Sequence, residues 1–373
     1  MPLTLPLFER FPHTATLPLA GIASLPTPMT DLSRLATGLD LHDLWVKRDD
    51  LTSPAYGGNK VRKLDFLLGD ALAKGATSVL TFGAYGSNHA LATAVHARAL
   101  GLEPHVVLSP QEPGPFAAAT LLAHAGLGTQ LHLADGWDGT AVAASAIAEI
   151  VARDGVAPYV IPMGGTNALG ALGYVNAALE VDDASRLPEP RSGTTSAPPP
   201  DPDVVYVAAG TLGTAVGLAI GFALAENPVC VEAVRVTPSD VASLDVARVL
   251  SADTLALLRS LDPGVPNFCF EDLKLTLRED WFEPGYGVVT PQTEAAVTWA
   301  ESLGIKLETT YTGKAATAML ADARSGALRD AHVLLWDTYS SASMPMAGPI
   351  EALPQVLRDY IAECEREFGA GAR

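Results

Sequence analysis

Lys60 follows two glycines and an asparagine in the run Tyr56-Gly57-Gly58-Asn59-Lys60-Val61-Arg62-Lys63, at the entrance of an amphipathic pattern. Glycine permits the tight turn that would set the lysine at the start of a helix. The dipole at that end disfavours a cation. A lysine there is more readily a neutral amine, the form that condenses with an aldehyde. Taken alone, the motif supports a basic surface cluster with Arg62 and Lys63 better than a reactive amine.

Three further turns carry groups that could do chemistry. Gly83-Ala84-Tyr85-Gly86-Ser87-Asn88-His89 offers a hydroxyl, an amide and an imidazole just before a helical pattern. Backbone N–H groups point outward at such a start. The same residues also read as a simple helix cap through Ser87 or Asn88. Ala209-Gly210-Thr211-Leu212-Gly213-Thr214 lies between an apolar run and a small-residue helix. Its glycines would let the backbone approach an anion, and its hydroxyls add donors. It has neither the Walker spacing nor that of a dinucleotide fingerprint, and tight helix–strand packing explains it equally well. Met163 to Tyr174 is too glycine-rich for a regular element and reads as a hinge. His13, His42, His96, His105, His124, His132 and His332 are scattered without ligand-like spacing, so no metal is expected. No carboxylate pair or Ser-His-Asp arrangement stands out.

These turns need elements to hold them. Helices are expected over Leu64–Lys74, His89–Leu100, Pro115–Ala125 and Thr140–Arg153, with strands at Ser78–Phe82, His105–Leu108, Gln130–Leu133 and Tyr159–Pro162. Such alternation predicts an open, mostly parallel α/β sheet, with ligands beyond the carboxyl ends of the strands. Residues 182–203, rich in Pro, Ser and Thr, read as a surface excursion or linker. Strands at Val204–Ala208, Val229–Val236 and His332–Trp336 follow, with helices from Thr214 and near 239–260, 291–303 and 314–325. Val204 to Ala225 carries no charge and is long enough to span a bilayer, but its glycines mark a buried strand, loop and helix.

With 373 residues, 48% of them hydrophobic, the chain can bury the cores of two domains. A net charge of −18 argues against nucleic-acid or anionic-membrane partners. Cys230, Cys269 and Cys364 form no disulfide framework, and the start of the chain lacks a signal-peptide pattern. Both observations suit a cytoplasmic enzyme.

In this order the turns resemble the tryptophan-synthase-β type (fold type II) of pyridoxal-phosphate enzymes, and more narrowly the D-cysteine desulfhydrase and 1-aminocyclopropane-1-carboxylate deaminase family. The resemblance runs from Leu25-Pro26-Thr27-Pro28 through Lys47-Arg48-Asp49-Asp50-Leu51 and the turns above to Pro284-Gly285-Tyr286-Gly287 and Tyr311-Thr312-Gly313-Lys314. It implies a two-domain α/β fold with the cofactor in the cleft between domains. Residues 1–55 and 172–373 would form the large domain, and 56–171 the small one carrying Lys60. It also implies a homodimer acting on a small amino acid.

By the same resemblance Lys60 would carry pyridoxal 5'-phosphate on its amine and later shuttle the α-proton. Asn88 would bond the ring hydroxyl. Gly210, Thr211, Leu212, Gly213 and Thr214 would hold the phosphate, with Lys63 nearby. Ser87 and His89 would face the substrate carboxylate, and Tyr286 and Tyr311 would line the reacting centre. Thr312 stands where the deaminase branch has a glutamate that protonates the ring nitrogen. A neutral hydroxyl weakens the electron sink and favours expulsion of a β-substituent; Thr338 is the alternative for this contact. The family's usual arginine after the Ser-Asn turn is replaced by Ala90-Leu91. Asp337-Thr338-Tyr339-Ser340-Ser341 replaces a glycine-rich turn, so Tyr339 would reshape the substrate side. A lyase releasing a keto acid and ammonia is therefore expected. A ring-opening deaminase, a racemase, a cofactor-binding protein without turnover and a plain binding module are its rivals.

Overall fold

The computed structural model describes residues 4–36, 38–186 and 198–369. Its strands are β1 (Met29–Asp31), β2 (Asp43–Arg48), β3 (Ser78–Ala84), β4 (Glu103–Ser109), β5 (Gln130–Leu133), β6 (Tyr159–Val160), β7 (Val204–Ala209), β8 (Cys230–Arg235), β9 (Leu275–Arg278) and β10 (His332–Asp337). Its helices are α1 (Pro6–Arg10), α2 (Asn59–Ala73), α3 (Asn88–Ala99), α4 (Ala117–Leu127), α5 (Thr140–Asp154), α6 (Ala168–Ser185), α7 (Gly213–Leu224), α8 (Leu244–Leu261), α9 (Pro291–Ser302), α10 (Thr312–Ser325) and α11 (Gln355–Phe368). The chain divides into two compact units. One comprises the residues up to Leu17, Ala23–Thr52 and Thr166–Ser340. The other comprises Pro18–Ile22, Ser53–Gly165 and the chain from Ser341 onward.

The first unit is built on a six-stranded sheet in the order β1-β2-β10-β7-β8-β9. Only the β1–β2 pair is antiparallel. The central strand β7 reads Val-Val-Tyr-Val-Ala-Ala and is buried along its whole length, as parallel strands covered on both faces must be. The apolar stretch from Val204 is thus strand, loop and buried helix. Among the described residues no helix is long and apolar enough to cross a membrane.

Helix α6 departs from the sequence reading. Gly164 and Gly165 do break the chain, at φ 69° and 63°. From Ala168, however, the segment read as a hinge is regular helix through Ser185. Asn167 caps it, its side chain accepting the Gly170 N–H at 2.8 Å. Burial against α7 outweighs the low helix propensity of Gly170 and Gly173. The two helices approach so closely that a Cβ on Gly217 would lie 2.5 Å from the Ala171 carbonyl oxygen, and one on Gly221 2.5 Å from that of Val175. The linker expected at 182–203 also begins later, because Asp182 is buried and paired with Arg10. Residues 187–197 of it lie outside the described residues.

The Lys47–Leu51 motif belongs to this interior. Asp49 accepts hydrogen bonds from Tyr174 and Trp336, at 2.7 and 2.8 Å, while buried Lys47 pairs with Glu180 at 3.2 Å.

The second unit holds the all-parallel sheet β5-β4-β3-β6. Helix α11 packs here: Leu357, Tyr360, Ile361 and Cys364 share a core with Ala118, Leu121 and Leu122 of α4. The sequence reading had left residues 341–373 with the large domain. The apolar face of α11 is what draws the end of the chain to α4.

Candidate active site

In the second unit Gly58, at φ 93°, precedes α2, and Lys60 is the second residue of that helix. Its Nζ, half-buried, donates to Asn59 Oδ1 at 2.9 Å. Lys63, one turn on, is buried and donates to the Gly164 carbonyl at 3.2 Å. Burial, with the Lys60 charge second, holds the Lys63 amine well below the usual lysine range. The two lysines therefore form a nucleophile-rich corner, and Gly165 closes it. A Cβ there would touch Lys63 Cβ and His89 Cε1, at 3.4 and 3.5 Å.

The Ser-Asn-His turn opens α3. Ser87 caps the helix, accepting the Ala90 N–H at 3.2 Å. Gly83 is required beneath it, since a Cβ would lie 2.5 Å from Ser87 Cβ. Asn88 Oδ1 accepts from the Tyr56 hydroxyl at 3.0 Å, which ties this turn to the residues leading into Lys60.

His89, expected to face the substrate carboxylate, is only 4% exposed. Thr81 donates to the Ile161 carbonyl and so accepts from His89 Nε2 at 2.8 Å. That assigns the tautomer with the proton on Nε2. Nδ1 is shielded from solvent, and the ring also meets the Pro162 backbone, which opposes the effect of burial. Burial, then Lys60 and Lys63, hold the ring well below the usual histidine range, so it is neutral.

The first unit carries the remaining candidates. At the end of β7, Leu212 takes the left-handed conformation (φ 65°) and serves as the N-cap of α7. Thr237 donates to the Gly210 carbonyl at 2.7 Å, and Thr211 and Thr166 share a hydrogen bond of 2.6 Å. A left-handed residue leading into a helix N-terminus suits the approach of an anion, although the Gly213 N–H here donates to the Thr211 carbonyl at 2.9 Å. Gly210, Thr211, Leu212, Gly213 and Thr214 are thus together in one cradle.

Tyr286 and Tyr311 meet edge to face with their hydroxyls 2.5 Å apart. Burial pushes the Tyr286 phenol up to about 12 and holds the Tyr311 phenol well above its usual range, so both keep their protons. Two residues that the sequence reading missed hold this pair. Lys314 donates to the carbonyls of Phe282 and Gly285, at 2.9 and 3.0 Å, and braces the turn bearing Tyr286. The buried Glu308 carboxylate accepts the backbone N–H groups of Thr310, Tyr311 and Thr312, at 2.8, 2.9 and 2.8 Å, together with the Thr312 hydroxyl at 3.1 Å. Its signal in the sequence was an acid four residues before Thr312, at a helix start.

The Thr312 hydroxyl is therefore engaged twice by Glu308, since it also accepts the Glu308 N–H at 2.9 Å. Thr338, at the carboxyl end of β10, is 8% exposed and its hydroxyl makes no hydrogen bond to a described residue. Tyr339 is likewise buried, with Lys306 over its ring at 5.2 Å. Asp337 beside them is buried, and its carboxyl stands well above the usual range because of that burial and of nearby Asp50.

The model of the pyridoxal-phosphate dependent enzyme family matches residues 22–338. This chain belongs to that family. As a pyridoxal-phosphate dependent enzyme it is 36% identical over 313 residues to the D-cysteine desulfhydrase of Klebsiella pneumoniae (strain 342), covering 81% of this chain and 88% of that one. The D-cysteine desulfhydrase of Salmonella choleraesuis (strain SC-B67) is 36% identical over 320 residues, covering 83% and 89%. Among solved structures, an ACC deaminase homologue superposes with a TM-score of 0.73 and 28% identity over 97% of this chain and 100% of its own. The processed threonine deaminase isoform 2 of Solanum lycopersicum shares the fold, with a TM-score of 0.57 and 16% identity over 97% and 88%. The residues present fit the cofactor. The second unit offers a lysine for an aldehyde and the side-chain amide of Asn88, and the first, taken by itself, a glycine- and threonine-bearing loop at a helix start suited to a phosphate.

Proposed function

We propose that this enzyme removes a β-substituent from a small amino acid of the D-cysteine kind, releasing a keto acid, ammonia and sulfide. The observation that carries the reading is the state of Thr312. The hydroxyl at the position where a ring-opening deaminase would present an acid is held by Glu308, and that carboxylate is itself occupied by four donors. Thr338 is then the hydroxyl left to face a ring nitrogen, a neutral contact that does not protonate it.

When bound, pyridoxal phosphate supplies the sink for the electron pair left when the α-proton departs. Lys60 would hold the cofactor through its amine, and its Nζ would take the α-proton. Asn88 orients the ring through its amide. The cradle from Gly210 to Thr214 fixes the phosphate, with Lys63 adding charge when protonated. The Ser87 hydroxyl would face the substrate carboxylate, while His89 supports the turn from below as a neutral ring. Tyr286 and Tyr311 hold protons rather than charge beside the reacting carbon, which suits departure of a thiolate as the thiol. Tyr339 bounds the substrate side. A homodimer in the cytoplasm belongs to the same reading.

The test compares purified wild type with Lys60→Ala. The wild type should show the visible absorbance of lysine-linked cofactor and release keto acid from D-cysteine, and the variant should lose both. A variant that keeps the absorbance and the turnover overturns the reading. Release of 2-ketobutyrate from 1-aminocyclopropane-1-carboxylate, without keto acid from D-cysteine, would establish the ring-opening alternative instead.

A further inference from the structure

Parallel pairing of β2 and β10 sets His332 directly opposite Asp43, with His42 next to it. Residues 289 apart in the chain thereby converge. His332 Nδ1 lies 2.7 Å and His42 Nδ1 3.6 Å from the same oxygen, Asp43 Oδ2. The two rings sit 4.5 Å apart between centroids. One donor atom from each of the three residues falls within 4.8 Å of the others. The second carboxylate oxygen, Asp43 Oδ1, is shielded from solvent and has no hydrogen-bond partner among the described residues. A hydrogen-bonded imidazole–carboxylate pair alone would not need the second imidazole.

We propose that His42, Asp43 and His332 bind a divalent transition-metal ion of the zinc type, with water completing the coordination. Two imidazoles and one carboxylate are a donor set such ions accept, with metal–ligand bonds near 2 Å. In a tetrahedral site that bond length places donors about 3.3 Å apart. The Asp43–His332 contact must open slightly and the His42 contact close slightly. Rotation of the His42 side chain, 59% exposed, closes the second contact, and a small turn of the His332 ring, 32% exposed, opens the first. The metal replaces the proton shared by His332 Nδ1 and Asp43 Oδ2, and that proton leaves to solvent.

Backbone contacts hold the ligands in place beforehand. The His42 N–H donates to the Ala331 carbonyl at 3.1 Å, and the His332 N–H to Asp203 Oδ2 at 2.8 Å. The ion would clip together the amino-terminal ends of two adjacent strands. Thr338 lies six residues along from His332, beyond the opposite end of β10, roughly 20 Å away at the usual rise per residue. The ion is therefore a fastener of the first unit and has no part in the chemistry.

The experiment is titration of metal-stripped holoenzyme with zinc chloride, followed by calorimetry and by thermal unfolding, in the wild type, His332→Gln and His42→Gln. The wild type should bind one equivalent more than either variant, or bind it at least about tenfold more tightly. Its unfolding temperature should rise with zinc, as binding to the native state alone requires. Metal-free turnover should be the same in all three proteins. Equal stoichiometry and affinity in wild type and in the exposed-residue variant His42→Gln, or no binding to the wild type, overturns the proposal. Neither result bears on the pyridoxal-phosphate chemistry, which the Lys60 test decides separately.

Discussion

Replacing Glu308 by alanine should cost both stability and turnover. The carboxylate satisfies three backbone N–H groups at the start of α10 and the Thr312 hydroxyl. Thr312 is buried, so orphaning its N–H costs about 1–3 kcal/mol. Thr310 and Tyr311 are half-buried, and their amides regain water at a smaller cost. Loss of a negative charge from the helix N-terminus adds about 0.3–1 kcal/mol. Against this, burial pushes the Glu308 carboxyl above its usual range, so removing it relieves some desolvation. The sum is a destabilisation of about 2–4 kcal/mol. For a protein of 373 residues that lowers the unfolding temperature by roughly 3–5 °C. Tyr311 is the N-cap of α10 and its hydroxyl is paired with Tyr286. Loosening its backbone misplaces both phenols, and kcat should fall roughly 10- to 100-fold with KM little changed. Glu308→Gln keeps one acceptor oxygen and should lose about half as much stability. Thermal unfolding by fluorescence and steady-state keto-acid release read the two effects. An alanine variant that unfolds with the wild type and keeps its kcat would refute the assignment of Glu308 as the anchor of the tyrosine pair.

Further expectations concern other parts of the chain. Gly217→Ala forces a Cβ against the Ala171 carbonyl and should destabilise by about 1–3 kcal/mol, measured by denaturant unfolding, while alanine at the unhindered Gly136 should be closer to neutral. The Asp337 carboxyl is raised in the folded state, so its contribution to stability is complete below the unfolded value near pH 4 and fades as pH rises through the folded one. Asp337→Asn should therefore gain stability relative to wild type as pH climbs above about 4; a constant difference across that range would contradict the shift. Thr338→Val should shift the visible absorbance of the bound cofactor, whereas Thr312→Val should chiefly lower stability. The reverse pattern would return the ring-nitrogen contact to Thr312.

Local pattern made much of this molecule legible. Gln130–Leu133 and the helix from Thr140 are where the alternation placed them, and Lys60 opens a helix behind a left-handed glycine. What escaped is what depends on distant partners. The glycines of α6 suggested a hinge, because the α7 surface that rewards its burial lies some 40 residues on in sequence. Glu308 was visible only as one more acid until α10 presented three amides to it. The burial of His89 was not visible in its polar turn, because it depends on Thr81, which the Ile161 carbonyl orients. His42 and His332 share no local spacing, and only a parallel ladder makes them neighbours.

The place of α11 bears on how the chain comes to be folded. Its residues fill the face of α4, yet they follow every strand of both sheets in the chain. During synthesis β3, β4, β5 and β6 emerge early, and α4 must wait with an uncovered apolar face while some 230 further residues are made. Such an interval is when exposed apolar surface finds wrong partners. A nascent chain halted before Leu353 would carry a complete sheet in the second unit and still lack its seal, which makes the last helix the step that commits that unit.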